Sequence, residues 1–389
     1  STVVMPRVST WLNAPRISAG LLRVCFYYAT VFGVVTFRIG LRDDDCQLVA
    51  CSRNGYKWLS MLIRVLGSCF YGYSYGAWAD QYTDWYLRLF FGLRLVGCLV
   101  CSAIILVLQL CYEKRILHLI NTFFALFRRL RRLTGTTLEE EGFGGSLELT
   151  LLSVKLLSLA FVFLAFRLQY SPWVLLTMLC DLYTSIGTGM IVHFCFVGYL
   201  SIGVLYAALN RYVDQQLRSQ LSSLPHQGAD VQAQANLDEC LAIYECIHQV
   251  TRSFQQLFDL PLCLSLVQNL SAMAMVSYHA IMRREYHFSL WGLVLKLLID
   301  VILLTLAVHV AVSGSRLVRR LSLENYAVGQ TKSCHITLEI FLGRLNHQQL
   351  RVCPLGLFEV SNELTLFFLS AMVTYLTFLV QYGIQTKQF

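Results

Sequence analysis

A few charged side chains stand inside long apolar runs of this sequence. Lys296 and Asp300 are four residues apart in one run, so on a helix they would form an ion pair along one face. Arg94 and Asp181 stand in two other runs, where they would either pair across two helices or contact a ligand. A charge in apolar surroundings is costly and marks a functional site by default. We therefore place the candidate functional chemistry inside the apolar segments.

Motifs of catalysis, metal binding and phosphate binding are absent from the sequence. No histidine pairs with a cysteine or carboxylate at the spacing of metal ligands, and there is no nucleophile elbow, phosphate-binding loop or zinc-binding helix. Among the 14 cysteines, Cys98 and Cys101 form one CxxC pattern inside an apolar run, which indicates small packing residues. The sequence predicts no enzyme, no catalytic residue, no metal site and no cofactor.

The composition predicts a membrane protein. The 389 residues are 56% hydrophobic and 14% charged, and the mean hydropathy is +0.56. An average soluble domain is about 25% charged, so this chain has too little polar surface for a water-soluble body of its size. A lipid bilayer removes that requirement, because residues that face lipid can stay apolar.

Seven apolar stretches are long enough to cross a bilayer as helices, which requires about 20 residues. They predict an all-α membrane protein with seven transmembrane helices. The shorter run Val24–Phe37 is interpreted as interfacial; if it also crossed, there would be eight spans. The seven predicted spans are Trp58–Trp78, Leu89–Leu110, Leu149–Leu168, Trp173–Leu200, Leu257–Met282, Phe288–Val312 and Glu363–Gly383.

The distribution of lysine and arginine predicts the orientation of the chain. Twenty-two of these residues precede the first span or follow the second, fourth and sixth, whereas five stand on the other side. Basic residues mark the cytosolic side, which places the N-terminus in the cytosol and the C-terminus outside the cell. The net charge of +8 therefore lies beside membrane segments, where anionic lipid is a more suitable neighbour than nucleic acid.

Arg64 and Lys155 also stand within predicted spans, in the inner third of each. Long basic side chains at such a depth can reach the membrane surface while their aliphatic stems stay in apolar surroundings. We therefore expect both to extend to the cytosolic surface in a structural role.

The long connections on the basic side have helical periodicity. Apolar residues recur at three- and four-residue spacing from Leu237 to Phe258, which predicts that the fifth span begins as a helix well inside the cytosol. The fourth span is expected to run on through Leu221, and Cys334–Leu350 to form an amphipathic helix. Together these would form a cytosolic helical body; the alternative is that each lies flat on the membrane.

The last span contains a motif of a known family. Thr374 and Tyr375 are followed by five mostly apolar residues, and Gln381 and Tyr382 come next. This resembles the signature of insect chemoreceptors, which is Thr-Tyr, five mostly apolar residues and Gln-Phe, with Tyr382 in place of the phenylalanine. Together with the span layout, orientation and length, the motif makes the chain resemble an insect gustatory receptor.

The resemblance implies a ligand-gated cation channel of four subunits. In that family the last helix of each subunit lines a central pore, the cytosolic helical body joins the subunits, and ligands enter a pocket in the outer half of the earlier helices. The implied partners are a small-molecule tastant, identical or related receptor subunits, and permeating cations. The implied location is the plasma membrane of a sensory-neuron dendrite.

The predicted organisation has four parts. Residues 1–57 form a cytosolic N-terminal arm with the interfacial segment, and residues 58–312 form the first six transmembrane helices with the ligand pocket in their outer half. Residues 313–362 form a cytosolic anchor helix region, and residues 363–389 form the pore-lining last helix and a short external tail.

Four residues of the last span are the predicted pore and gate residues. Thr374, Phe378, Gln381 and Tyr382 share one helix face by their three- and four-residue spacing. An amide without a partner in hydrocarbon is costly, so Gln381 must face water or another helix. Four such faces around an axis would form a wet amide ring flanked by aromatic rings, which can close a pore by excluding water. The alternative is that Gln381 bonds to a neighbouring helix.

Aromatic residues are concentrated in the outer halves of the predicted spans. Small-molecule sites are mostly apolar and aromatic with a few polar groups, although each aromatic taken singly is more often a core residue. A sugar site would need several carboxylates and amides, so the composition favours apolar or alkaloid-like bitter compounds. The predicted ligand-binding residues are Phe90, Phe91, Arg94, Phe163, Phe166, Asp181, Tyr183, Tyr278 and Trp291.

Two other functions stay open from the sequence. A chemoreceptor of the G-protein-coupled type also has seven spans but needs an external N-terminus, which the charge distribution opposes. A secondary transporter often has internal repeats and broken spans, whereas this sequence shows no repeat, and Pro172 and Pro261 stand near span ends.

Overall fold

The computed structural model describes residues 14–42, 47–80, 85–134, 146–165, 172–217, 229–282, 288–320 and 350–385, together with 336, 339, 340 and 343. These residues form nine continuous α-helices and one two-stranded antiparallel sheet. The strands are β1 Phe37–Arg42 and β2 Gln47–Ser52. The helices are α1 Ala14–Val31, α2 Asn54–Ala79, α3 Trp85–Cys111, α4 Glu113–Thr134, α5 Ser146–Ala165, α6 Pro172–Tyr212, α7 Ala229–Met282, α8 Phe288–Arg320 and α9 Asn362–Gln385.

Each predicted span lies on one helix, which confirms the all-α fold. In chain order the spans fall on α2, α3, α5, α6, α7, α8 and α9; residues 166–168, at the end of the third span, lie outside the described part of the chain. Within the described residues, α3, α6, α7 and α8 each contain a segment that is long and apolar enough to cross a membrane. The orientation of the bundle stays a prediction.

Two helices are much longer than a bilayer is thick. α6 has 41 residues and α7 has 54, which gives lengths of about 60 and 80 Å against a hydrocarbon core of about 30 Å. α6 continues into a π-helical turn, Val213–Leu217, and the amphipathic α4 packs against both helices. The predicted helical body is therefore confirmed for α6 and α7. Leu221 and most of Cys334–Leu350 lie outside the described residues.

We call the end of the bundle that carries this helical body the basic end, because the arginine cluster of α4 lies there. The opposite end, where α2 ends and α3 and α6 begin, is called the far end. Under the predicted orientation the basic end is cytosolic and the far end is extracellular.

The core of the bundle is built around α6. Phe196, Tyr199 and Leu200 are at most 1% exposed, and α6 packs most extensively against α8 and α7. Gly203 allows α6 and α8 to approach closely, since a Cβ atom there would lie 2.8 Å from Val310 Cγ1 and 3.2 Å from the Ala311 backbone nitrogen. Small residues at such crossings are typical of helix packing in membranes.

A helix and a β-hairpin occupy the segment predicted to be an N-terminal arm. α1 packs against α5 and ends before a turn in which Gly33 has a φ of 62°. β1 and β2 then form an antiparallel hairpin, which the sequence analysis did not predict. The amide of Asn121 on α4 holds it, because Ala50 N–H donates to Asn121 Oδ1 at 2.8 Å and Asn121 Nδ2 donates to Ala50 O at 3.2 Å.

Arg64 is fully buried, so the expectation that it reaches the surface is wrong. Its Nη2 donates to the carbonyl of Phe32 at 2.8 Å, and its guanidinium carbon lies 4.9 Å from the centre of the Tyr183 ring. The turn after α1 folds into the bundle and supplies a carbonyl partner nearer than the surface. Arg64 thereby joins α2, α6 and this turn.

Lys155 is also fully buried, and the same expectation is wrong for it. Its ammonium lies 2.6 Å from Asp300 Oδ1, and the Lys296 ammonium lies 2.6 Å from Asp300 Oδ2. The predicted pair of Lys296 and Asp300 is therefore confirmed, as part of a three-member ion cluster. Ser158 Oγ also donates to Asp300, at 2.8 Å. Since unpaired charges in low dielectric are costly, this cluster holds α5 against α8.

Replacing Asp300 by Asn should destabilise the protein strongly. The change leaves two buried lysines without their carboxylate, and removing one partner of a buried ion pair costs about 3–5 kcal/mol. We expect Asp300→Asn to lower the temperature at which the purified, detergent-solubilised chain loses its monodisperse peak in size-exclusion chromatography.

Asp80→Asn is the matched control for this measurement. Asp80 pairs with Arg88 where the side chains are 64% and 56% exposed, and such a pair contributes about 0–1 kcal/mol. We expect its melting temperature to stay close to the wild-type value. Equal losses in the Asp80→Asn and Asp300→Asn proteins would contradict a special role for the buried cluster.

Candidate functional site

Arg94 on α3 and Asp181 on α6 form an ion pair between two helices. Arg94 Nη2 lies 3.1 Å from Asp181 Oδ1 and 3.2 Å from Oδ2. Both residues are about 14 Å along their helices from the far end. The side chains are 23% and 18% exposed, so the pair is accessible as well as formed. Of the two interpretations that the sequence left open, pairing is thus confirmed, and contact with a ligand stays a prediction.

One aromatic ring lies against the Arg94 guanidinium, and two more pack against that ring. The Tyr75 ring centre lies 5.7 Å from Arg94 Cζ, within the range of a cation–π contact. Tyr75 packs in turn against Tyr71 at 5.0 Å and against Phe91 at 5.9 Å between ring centres. An ion pair beside aromatic rings combines the apolar surroundings and the few polar groups that are typical of small-molecule sites.

Gln268 on α7 completes this cluster, and sequence reasoning missed it. Its Nε2 lies 3.3 Å from Cys98 Sγ and 3.4 Å from the carbonyl of Arg94. The side chain lies directly over Gly97, where any Cβ atom would collide with it. An amide inside an apolar span is the same signal that singled out Gln381, so Gln268 was detectable by the same argument.

The structure brings together three of the nine predicted ligand-binding residues, namely Phe91, Arg94 and Asp181. Tyr183 lies elsewhere, with its ring against Arg64 and 6.2 Å from the Phe32 ring. Tyr278 is 6% exposed and Trp291 is 41% exposed. The side chains of Phe90 and Phe163, and the whole of Phe166, lie outside the described residues.

The last helix, α9, is covered on one face only. It packs mainly against α7 and α8, with Leu364 and Phe368 buried and Thr365 Oγ1 3.3 Å from Thr305 Oγ1. A second face is exposed in the described chain. Its polar residues follow one another at helical spacing, and they are Ser370, Thr374, Thr377, Gln381 and Gln385.

Apolar side chains border this polar stripe. Leu366, Phe367, Val373 and Phe378 are between 57% and 67% exposed. The predicted gate residues Thr374, Phe378 and Gln381 therefore share the exposed face, whereas the side chain of Tyr382 lies outside the described residues. The hydroxyls of Thr374 and Thr377 donate to carbonyls one turn earlier, at 2.9 and 2.8 Å, which leaves their oxygens able to accept from water.

Two ion pairs hold the basic end together outside the spans. Arg129 on α4 donates from Nε and Nη2 to Glu239 on α7, the latter at 2.6 Å. These hydrogen bonds lower the pKa of Glu239 and raise that of Arg129. Glu113 accepts from Lys57 and from Ser52 Oγ; burial alone would raise its pKa, but these two donors lower it overall. The pairs attach α4 to α7 and to the start of α2.

Comparison with known proteins gives one family. Residues 22–386 match the family model described as 7tm Chemosensory receptor. The chain is 63% identical to putative gustatory receptor 93b of Drosophila melanogaster over 394 aligned positions, covering 99% of each chain. It is 28% identical to the gustatory receptor for bitter taste 93a of the same species, over 52% of each chain.

A solved structure has the same fold. The structure of the insect olfactory receptor OR5 from Machilis hrabei in complex with eugenol aligns with a TM-score of 0.63, covering 95% of this chain and 100% of that one. The sequence identity is 9%, so the likeness concerns the fold alone.

The Arg94–Asp181 pair can be tested by a double-mutant cycle. Asp181→Asn leaves the Arg94 guanidinium without its carboxylate, so we expect a marked loss of thermal stability of the purified chain. Arg94→Gln added to Asp181→Asn removes both charges and should recover part of that loss. The coupling free energy should be about 0.5–3 kcal/mol, as for residues in direct contact. Strictly additive losses would contradict the pair.

Proposed function

The chain belongs to the 7tm chemosensory receptor family, as an insect gustatory receptor, and on that premise we propose that it is a ligand-gated, non-selective cation channel for taste compounds. The proposal assigns the pore to α9 and the ligand site to the Arg94–Asp181 cluster. The protein would act in the plasma membrane of a sensory-neuron dendrite, with the basic end in the cytosol.

The polar stripe of α9 is the single observation that carries the channel assignment. Hydroxyl and amide groups that face hydrocarbon lose their hydrogen bonds with water, yet this stripe lies on the face that the chain's own helices leave exposed. If four copies surround an axis, the stripes meet in a water-filled centre, and the bordering Phe378 rings can narrow it. The helical body at the basic end would join the subunits.

The cluster around Arg94 suits an aromatic or amine-bearing bitter compound. Asp181 can accept from a ligand amine while it keeps Arg94, and the buried rings of Tyr71, Tyr75 and Phe91 make the surroundings of the pair apolar. Few further carboxylates or amides lie beside them, so a sugar would lack partners. The similarity to a bitter-taste receptor over half of the chain supports the same ligand class.

α7 connects the two proposed sites. Gln268 contacts the backbone of Arg94 in the Arg94–Asp181 cluster, and α7 also packs against α9. Suppose that a ligand binds more tightly when α7 takes its open-channel position than when it takes its closed-channel position. The ligand then shifts the population toward the open state, by an amount set by the difference between the two affinities.

The proposal is tested first by whole-cell recording with G-protein signalling blocked. Cells that express the chain at their surface would receive a panel of bitter compounds and sugars. A fast cation current that persists under the block is expected for bitter compounds. A response that disappears under the block would instead assign the chain to the coupled receptors.

The α9 assignment predicts a contrast between two adjacent residues. Thr377 is on the exposed stripe, whereas the neighbouring Leu376 is half-buried toward the bundle. A charged, membrane-impermeant thiol reagent should block the ligand-evoked current of Thr377→Cys and leave that of Leu376→Cys unchanged, with the reagent's effect on the wild-type cysteines as the baseline. Equal modification of both variants would remove this face from the pore.

Gln381 supplies a second test of the same face. Gln381→Ala removes one amide per subunit from the proposed ring and should alter gating or cation permeability, measured as the dose–response curve and the reversal potential in mixed cations. Thr365→Ala, on the covered face beside Thr305, is the control. Unchanged currents in Gln381→Ala would exclude Gln381 from the pore.

A further inference from the structure

A cavity of about 840 Å³, which we call the basic-end cavity, lies between α1, the start of the hairpin, the end of α3, α4, α6 and α7. On α3 its lining begins at Ile105, about 16 Å along the helix from Arg94, so it is separate from the Arg94–Asp181 cluster. Its volume is near the upper limit of small-molecule sites, about 300–1,000 Å³. The proposed channel mechanism does not use this cavity.

The walls of the cavity are mostly apolar. Eight phenylalanines line it, together with aliphatic residues such as Leu22, Ile120 and Val197. Apolar surface of this extent is costly to keep in contact with water. An occupant that covers it therefore has a large hydrocarbon body.

The charged residues that line the cavity do not call for a charged occupant. Glu113 accepts from Lys57, and Arg38 is exposed. Three further arginines each have an interaction within the chain, and they are Arg23, Arg128 and Arg131. Since none of these groups requires a counter-charge from a ligand, a neutral occupant is sufficient.

Two buried polar side chains of the wall have an atom without a partner. Gln109 is 4% exposed and His193 is 3% exposed, and both line the cavity. Gln109 Nε2 donates to the carbonyl of Gly33. Within the described chain, however, Gln109 Oε1 has no hydrogen-bond partner, and the same holds for His193 Nδ1. Buried polar atoms without partners are costly, so an occupant that supplies a partner removes this cost.

The two side chains lie at a similar depth on adjacent helices. A Cβ atom on Gly187 of α6 would lie 3.3 Å from Ile105 Cδ1 of α3, so the helices touch at that level. Both helices run from the far end toward the basic end. Gln109 is four residues beyond Ile105 and His193 is six beyond Gly187, which places them about 6 and 9 Å past the contact.

The unpaired atoms indicate a hydroxyl group on the occupant. Gln109 Oε1 is an acceptor, so its partner must donate a hydrogen. Carboxylate and phosphodiester groups have none to donate, and an ammonium group would carry a charge into apolar surroundings. A hydroxyl donates and accepts, so it suits Gln109 and also His193 Nδ1 in either tautomer.

We propose that the basic-end cavity binds one sterol-like alcohol of the membrane, with its hydroxyl between Gln109 and His193 and its fused-ring body among the phenylalanines. A rigid ring body fills a large apolar cavity with little loss of conformational freedom. A small terpenoid alcohol would leave most of the wall uncovered. The bound sterol ties α1 and the hairpin to α4 and to α7, whose Phe254 and Phe258 line the cavity.

The surfaces beside the cavity favour a membrane source. Val24 on α1 and Val107 on α3 are 51% and 48% exposed, and both helices form walls of the cavity. Exposed apolar side chains on a bundle of this composition face lipid. The cavity therefore lies between helices whose outer faces contact the hydrocarbon in which a sterol is dissolved.

The test measures saturation binding of tritiated cholesterol to the purified full chain in detergent. Unlabelled cholesterol and cholesterol methyl ether, which has the same ring body without the donor, compete with it. We expect one cholesterol per chain and an affinity for the ether at least about fivefold weaker, because the ether leaves Gln109 Oε1 buried and unpaired. Equal affinities, or no saturable cholesterol binding, would overturn the proposal.

Tritiated geraniol, a small terpenoid alcohol, is tested in the same way. It should bind more weakly than cholesterol, since it covers less of the apolar wall. Saturable binding of geraniol without binding of cholesterol would overturn the membrane sterol as the occupant.

Two pairs of substitutions assign the binding to the polar side chains. Gln109→Met should weaken cholesterol binding at least about fivefold, whereas Gln256→Met makes the same exchange at an exposed position of α7 outside the cavity. Gln109→Met also loses the bond to Gly33, so His193→Phe is a second variant. His118→Phe, at an exposed position of α4 outside the cavity, is its control. Binding by both variants equal to that of their controls would overturn the proposal.

A third pair tests the apolar interior. Ile120→Trp fills part of the cavity and should abolish cholesterol binding while the protein stays monodisperse. Leu93→Trp introduces the same side chain at a position of α3 that is 56% exposed, and it should retain the binding. Wild-type binding by Ile120→Trp would exclude a sterol body in the cavity. The readout does not depend on channel activity, so a failure here is distinct from a failure of the proposed function.

Discussion

Hydrocarbon offers no hydrogen bonds, so every polar group within the bundle needs a partner inside the protein or in water. Three basic side chains within the bundle find partners inside the protein rather than at the surface. Lys155 reaches Asp300, Arg94 reaches Asp181, and Arg64 reaches the Phe32 carbonyl. Each contact joins segments that are distant in sequence and so fixes how the helices pack. Against that background the exposed stripe of α9 stands apart, because no helix of the described chain covers it; under the proposed channel function, water in a pore would satisfy its amides.

The sequence predicts what lies on one helix much better than what lies between two. The spans, the extensions of α6 and α7 and the i,i+4 pair of Lys296 and Asp300 all follow from periodicity and spacing along one segment. Lys155 is 145 residues from Asp300, so no spacing rule could pair them, and the surface was the only partner that sequence reasoning could offer. The hairpin was missed for a related reason: it depends on Asn121, which is 71 residues from Ala50.

α7 is the element through which the separate parts of the molecule can influence one another. It carries Gln268 at the Arg94 cluster, Phe254 and Phe258 at the basic-end cavity, and a packing surface for α9. Pro261 stands between these sites within the helix. A proline removes one backbone hydrogen bond and favours a bend, so the two halves of α7 need not move as one rod.

The charges of the Arg94 cluster determine which molecules the proposed ligand site can accept. Asp181 neutralises Arg94 within 3.1 Å, so the cluster has no net charge and favours apolar or amine-bearing molecules that share the carboxylate. An anionic ligand would have to compete with Asp181 for Arg94. The proposed site thus discriminates by charge before shape matters.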